Sequence, residues 1–197
     1  MLPDELQHSE QVVFTNKAAC RDCYRCLRVC PVKAIRLRNG QAYVVEDRCI
    51  SCGTCIRECP QRAKTFRRDV EHAQALCRRG GVAAASIAPS FAALFSDWER
   101  RRIPSALRML GFNYVGETAI GAYHVARATA KYVAEHPNAS HIASACPGVV
   151  NYIEQYAPEF VDKLVPCASP MVVHARLIKK RFGPDSAVVF IGPCVAK

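Results

Sequence analysis

Nowhere in the 197-residue chain is there a run of 18 or more apolar residues, so no segment reads as a membrane-spanning helix. Met1 to Glu10 is acidic and polar, without the basic and then apolar regions of a signal peptide. No membrane association is expected, and the cytoplasm is the expected compartment. Gly80, Gly81, Gly111 and Gly116 lack the G-x-G-x-x-G spacing, which excludes a dinucleotide site of that type. Aromatic residues make up only 8%, and the single tryptophan, Trp98, reads as a packing residue. Acidic residues are outnumbered 17 to 27 by Lys and Arg, giving a formal charge of +10. That excess is spread over Arg36, Arg38, Arg67, Arg68, Arg78, Arg79 and Arg100 to Arg102. A nucleic-acid surface would gather such residues on one face among exposed aromatics, so no nucleic-acid partner is expected. A solvated basic surface that attracts acidic partner proteins fits better. With half its residues hydrophobic and 22% charged, the chain reads as globular, long enough for one ordinary domain and a small one.

Cysteine is abundant. Eight of the twelve fall into two runs, Cys20, Cys23, Cys26, Cys30 before Pro31, and Cys49, Cys52, Cys55, Cys59 before Pro60. Both read C-x2-C-x2-C-x3-C-P, each member of the second lying 29 residues after its counterpart, which marks an internal duplication. With no export signal, metal binding in a reducing compartment is favoured over disulfides. Three cysteines at two-residue gaps wrap a loop around one face of a 4Fe–4S cubane, and the fourth is carried away to the other cluster. Cys20, Cys23, Cys26 and Cys59 are therefore expected on one cluster, and Cys49, Cys52, Cys55 and Cys30 on the second. Zinc also binds paired C-x2-C units, but it does not call for the third and fourth cysteines of each run. Two oxidised clusters, each carrying roughly −2 with its thiolates, lower the formal +10 to about +6. Between the runs, alternating residues from Ile35 to Val45 flank Asn39-Gly40, a strong hairpin signal. Loop, short helix and strand, twice over, resemble bacterial ferredoxins. Redox proteins are the partners expected for such a unit.

Beyond Gly80 the cysteines thin out. Val82 to Ala88, Phe112 to Val115, His141 to Ser144 and Ala187 to Ile191 read as strands. Residues 91 to 100, 104 to 110, Ala119 to Glu135, Gly148 to Tyr156 and Met171 to Phe182 read as helices, and so does Val70 to Arg79 before them. Strands alternating with helices predict a parallel, helix-covered sheet. The fold class expected is thus an α+β dicluster ferredoxin domain over residues 1–79, followed by an incomplete α/β domain with a parallel sheet over residues 80–197. Chemistry collects at the C-terminal ends of parallel strands, and Cys146 and Cys194 sit there. Cys167 lies in a loop leading into a helix. Taken singly, each reads as a small buried hydrophobe; three at loop–helix junctions behind a two-cluster relay raise the case for a further metal site. Cys77 reads as core, and His124 and His141 as structural histidines.

The run Ser144-Ala-Cys-Pro-Gly-Val-Val-Asn-Tyr-Ile-Glu-Gln-Tyr156, then Ala168-Ser-Pro-Met171, then Val188-Val-Phe-Ile-Gly-Pro-Cys-Val-Ala-Lys197, resembles the first two cysteine motifs of iron-only (FeFe) hydrogenase large subunits. The likeness covers essentially the whole chain. It implies that Cys146 and Cys194 ligate the cubane of a hydrogen cluster, and that Lys197 contacts a cyanide ligand of its two-iron subsite. The family equivalent of Cys167 is usually not cysteine, which leaves Cys167 as packing.

Catalytic members carry two adjacent cysteines in the first motif, the earlier one relaying protons. Here that position is Ala145, which has no titratable group. The next relay step in such members is acidic, whereas no acid lies between Thr118 and Tyr132, the equivalents falling near Ala126, Arg127 and Ala128. In these respects the chain is similar to the sensory type, thought to report hydrogen or redox state. The family's third cysteine motif is missing after Lys197, which predicts a fragment with an exposed apolar face. A hydrogen cluster is then expected only in a full-length version, with a C-terminal signalling domain or partner as its output. A plain electron carrier with a docking domain is the other expectation. Fast hydrogen turnover is not expected.

Overall fold

A computed structural model describes residues 11–197. By contacts the chain divides into two compact units, one reaching Arg68 and including Cys194–Ala196, the other spanning Asp69–Pro193 with Lys197.

In chain order the first unit runs β1 (Val13–Thr15), α1 (Arg25–Val29), β2 (Ile35–Arg38), β3 (Gln41–Val44), α2 (Thr54–Arg57) and β4 (Lys64–Phe66). β2 and β3 form an antiparallel hairpin in which Ile35 pairs with Val44 and Arg38 with Gln41. Asn39 and Gly40 turn it at φ 52° and 79°, both left-handed, as a two-residue turn matched to strand twist requires. β1 and β4 pair antiparallel, Val13 opposite Phe66 and Thr15 opposite Lys64. The 29-residue repeat extends to the backbone. Asp22 and Ser51, Tyr24 and Gly53, and Lys33 and Arg62 are three pairs at that interval, all with positive φ. Five of these six residues are not glycine, and such conformations persist only where surrounding structure holds them. The core is small, built from Cys30, Val32, Ala34, Ile35, Ala42 and Ile50.

The second unit runs α3 (Val70–Arg78), β5 (Ala83–Ile87), α4 (Phe91–Leu94), α5 (Asp97–Arg100), α6 (Ile103–Met109), β6 (Tyr114–Glu117), α7 (Ala119–Glu135), α8 (Pro147–Tyr156), α9 (Pro170–Phe182) and β7 (Ala187–Ile191). Its sheet has the order β6-β5-β7 and is wholly parallel. β5 is central and buried along its full length, and its small residues let helices approach both faces. Strand alternation sends Ala83 and Ala85 toward Phe112, Cys77 and Leu107, so Cys77 packs against the core as expected. Ser86 points the other way. Gly121 marks the closest approach of α7 to α9, since a Cβ there would lie 2.1 Å from the Pro170 carbonyl oxygen.

Three elements and one side chain depart from expectation, the strand expected at Phe112–Val115 being shifted to Tyr114–Glu117. The helix expected over 91–100 is two, because Ser96 is extended and restarts it as an N-cap. There the Ser96 N–H donates to the Glu99 carboxylate at 2.8 Å and the Glu99 N–H donates to Ser96 Oγ at 3.4 Å, a capping box. The strand expected at His141–Ser144 is a single parallel bridge, Ile142 to Leu164. Lys163 just before ends a 3-10 turn, and Pro166 just after has no N–H to extend the ladder. Trp98 is 63% exposed, with the Arg102 guanidinium 3.6 Å over its ring instead of a core around it. Leu94, Met109 and Leu110 are also well exposed. His141 sits edge-on to Tyr132, its Nε2 2.9 Å from the His136 carbonyl oxygen. Among the described residues, no helix is long and apolar enough to cross a membrane.

Candidate metal centres

The eight clustered cysteines line two cavities of nearly equal size in the first unit. Cys20, Cys23, Cys26 and Cys59 line one of about 340 Å³, counting its open mouth. Cys30, Cys49, Cys52 and Cys55 line the other, about 330 Å³. Each cavity thus takes three thiols from one run and the last thiol of the other. Among the described residues, no three Cys, His, Asp or Glu side chains close on a single metal ion. The sulfurs wall a volume rather than a point.

Local structure explains how the thiols are held. Tyr24 and Gly53, both left-handed, precede α1 and α2, turning each loop into a short helix beside its cavity. Left-handed residues at alternate positions, Asp22 and Tyr24 in one loop and Ser51 and Gly53 in the other, are a backbone pattern suited to concavities that receive anions and iron–sulfur clusters. The Ala34 N–H donates to Cys30 Sγ at 3.3 Å, and its counterpart, the Ala63 N–H, donates to Cys59 Sγ at 3.2 Å. The Ser51 N–H donates to Cys49 Sγ at 3.4 Å. Toward solvent, the thiols of Cys20 and Cys23 lie 3.7 and 3.4 Å from the side-chain oxygens of Asp22 and Gln61.

Burial raises the thiol pKa of Cys26 and Cys49, and pushes that of Cys55 up to about 11. Lys64 opposes the rise at Cys26 and at Cys55. Even beside Lys64 burial keeps the Cys26 and Cys55 thiols raised, so a thiolate set here calls for bound metal. Four soft sulfur donors per cavity and N–H groups donating to Cys30, Cys49 and Cys59 fit a 4Fe–4S cluster in each, with a buried cation beside the first.

Two sets of residues were not visible in the sequence pattern. Lys64 is 3% exposed and lines the first cavity, its ammonium donating to Thr15 Oγ1 and, at 3.4 Å, to the Ala42 carbonyl. Comparison of the two repeats would have flagged it, because Lys64 stands where the first repeat has Ile35. In the second unit, His174, Ser86 and Thr118 form a buried polar chain. Ordinary helical and strand spacing hides all three.

Cys146 is exposed and caps the N-terminus of α8, immediately before Pro147. Its loop is tied to that of Cys167, because Ser144 Oγ donates to the Cys167 carbonyl at 2.6 Å. Cys167 is half-buried ahead of α9. Cys194 is exposed just beyond β7 and groups with the first unit, while Lys197 groups with the second. Ala145 lies in the turn before Cys146, and on α7 the Arg127 guanidinium stands over the Tyr123 ring.

Residues 19–71 match a 4Fe–4S dicluster domain. Residues 82–197 match the iron-only hydrogenase large subunit, C-terminal domain. The chain belongs to the iron-only hydrogenase large-subunit family. It joins iron–sulfur, hydrogenase-like electron-transfer domains, ferredoxin-like first and α/β second. A solved structure from a study of oxygen inactivation of an [FeFe]-hydrogenase, beginning with modification and degradation of the 2Fe subcluster, is similar at 20% identity and a TM-score of 0.43. That match covers 63% of this chain and 38% of the other, so the hydrogenase-family chain spans well under half of the solved protein's length. Comparison with curated proteins returned no match.

Proposed function

We propose that the first unit holds two 4Fe–4S clusters, one per cysteine-lined cavity, and relays electrons toward a hydrogen-cluster site to which Cys146 and Cys194 contribute. The observation that carries this is the pair of matched cavities, each walled by four thiols drawn from both runs. A bound 4Fe–4S cluster accepts and returns one electron at a time. The protein's own residues do the rest. The eight thiolates hold the clusters, and the N–H groups of Ala34, Ala63 and Ser51 withdraw charge from their sulfurs. Val13, Val32 and Ile50 keep water from the second cavity. With so small a core, bound clusters also staple the unit together.

The role assigned is sensing of hydrogen or redox state. Ala145 has no proton to pass beside Cys146, and no acid lies between Thr118 and Tyr132. Lys197 is the residue assigned to a cyanide of the two-iron subsite, acidic redox proteins are the partners, and a signalling domain or partner would carry the output. A simple electron carrier is the second reading, favoured by the first unit alone supplying both four-thiol cavities.

Anaerobic maturation followed by iron counting and infrared spectroscopy separates the two. The sensing role requires cyanide and carbon monoxide stretches in a version that carries the remaining ligands. About eight irons, no such stretches there, and no change on replacing Cys146 or Cys194 would leave the carrier.

A further inference from the structure

We infer that Lys64 is the fixed counter-cation of the Cys20–Cys23–Cys26–Cys59 cavity and holds the reduction potential of the cluster bound there above that of its twin. The inference rests on the two-cluster proposal and assigns unequal roles to the two sites.

The internal repeat supplies the control. Pro31-Val-Lys-Ala-Ile35 of the first repeat becomes Pro60-Gln-Arg-Ala-Lys64 in the second. Ile35 and Lys64 are both buried, at 7% and 3% exposure, each beside the cavity that its own run closes with a crossing cysteine. One repeat places a hydrocarbon there; the other places an ammonium.

A buried ammonium without a counter-charge is expensive. Lys64 has two oxygen acceptors, Thr15 Oγ1 and the Ala42 carbonyl, and no carboxylate among the described residues pairs with it. Lys64 stands in the wall of the adjoining cavity, where a thiolate-ligated cluster would be the anion beside it. The Asp22 and Arg25 side chains at the mouth carry opposite charges and are exposed, so water and salt weaken both. Lys64 is screened by neither. Beyond its cysteines, the second cavity has no charged residue in its wall.

One-electron reduction takes a thiolate-ligated 4Fe–4S cluster from roughly −2 to roughly −3, with no bond made or broken. A fixed positive charge nearby stabilises the more negative state more strongly. An electron entering the pair therefore settles on the Cys20 cavity and passes the Cys49 cavity only in transit. Lys64 also faces Cys55 of the second quartet, so the difference between the sites, not their absolute values, carries the claim.

The test is an EPR-monitored potentiometric titration of the anaerobically reconstituted full chain. Wild type should show two one-electron midpoints separated by about 59 mV or more, a preference of about tenfold. Cys23→Ser should perturb the more positive one. Lys64→Met should lower that midpoint and close the gap by about tenfold, while Lys64→Arg should keep it. If neutral variants lose iron and Lys64→Arg retains it, the charge is again the cause. Coincident wild-type midpoints overturn the inference. So does an unmoved gap in Lys64→Met, or equal iron loss in Lys64→Met and Lys64→Arg, which would make Lys64 a packing residue. Fewer than about eight irons in wild type would instead sink the two-cluster proposal itself.

Discussion

The imidazole Nδ1 of His174 lies 2.8 Å from Ser86 Oγ, joining α9 to the central strand β5 inside the second unit. Ser86 Oγ is in turn 2.8 Å from Thr118 Oγ1, at the start of α7. His174 is 1% exposed, and burial lowers its pKa below the ordinary histidine value of about 6.5. Between the two values the unfolded chain binds more protons than the folded one. Stability is therefore fully present above about pH 6.5 and is lost as pH falls. The thermal midpoint of the second unit should drop between about pH 7.5 and about pH 5.5. His174→Leu, which leaves Ser86 with Thr118 as its remaining partner, should cost about 1–3 kcal/mol at the higher pH and flatten that dependence. Parallel pH profiles for wild type and variant would show that His174 is not the titrating group.

Gly121→Ala inverts the usual expectation for a helix. Alanine in a helix interior is ordinarily worth about 1 kcal/mol over glycine. Here the new methyl would meet the Pro170 carbonyl oxygen at 2.1 Å and His174 at 3.0 Å, forcing α7 from α9. A net loss of about 1–3 kcal/mol is expected in urea unfolding followed by far-UV circular dichroism. A gain in stability would mean that the helices can part freely.

Crossed ligation has an iron-counting signature. Cys59→Ser alone should reduce about eight irons to about four. Adding Cys20→Ser should remove little more, because both thiols line one cavity. Adding Cys49→Ser instead should empty both cavities. If Cys20→Ser and Cys49→Ser exchanged these outcomes, each run would be closing its own cluster.

Electron transfer from an acidic donor protein should slow as salt rises. The 27 Lys and Arg residues against 17 acids give a field that steers such a donor only while unscreened. The Debye length shrinks from about 30 Å at 0.01 M to about 3 Å at 1 M ionic strength. Stopped-flow rates across that range measure the effect. A rate indifferent to salt would remove the basic surface from docking.

Helices and strands with strong periodicity were legible residue by residue. The helix Ala119–Glu135 and the strand Ala187–Ile191 have the limits that their patterns predict. The misses have local causes outside hydrophobic periodicity. A serine–glutamate capping box at Ser96 split one helix, and Pro166 reduced a strand to one bridge. Trp98 went to the surface because Arg102 four residues on covers its ring, a pairing that apolar content alone does not reveal.

Chain geometry at short range is a property of sequence. Two-residue gaps, a proline after each fourth cysteine and a 29-residue repeat therefore made the cysteine sets and the hairpin at Asn39-Gly40 readable without coordinates. Burial of a charge is a property of distant segments meeting. Only the repeat counterpart Ile35 sets Lys64 apart in the sequence, and that difference says nothing of burial. Lys64 became a buried cation because β1 supplies Thr15 and β3 supplies Ala42 around it. His174 likewise joined Ser86 only because α9 crosses a glycine of α7, which let a polar side chain reach the centre of the sheet. Ligand spacing belongs to the sequence. The electrostatic inequality of the two cavities belongs to the tertiary structure, because the cost of desolvating a charge depends on every segment that surrounds it.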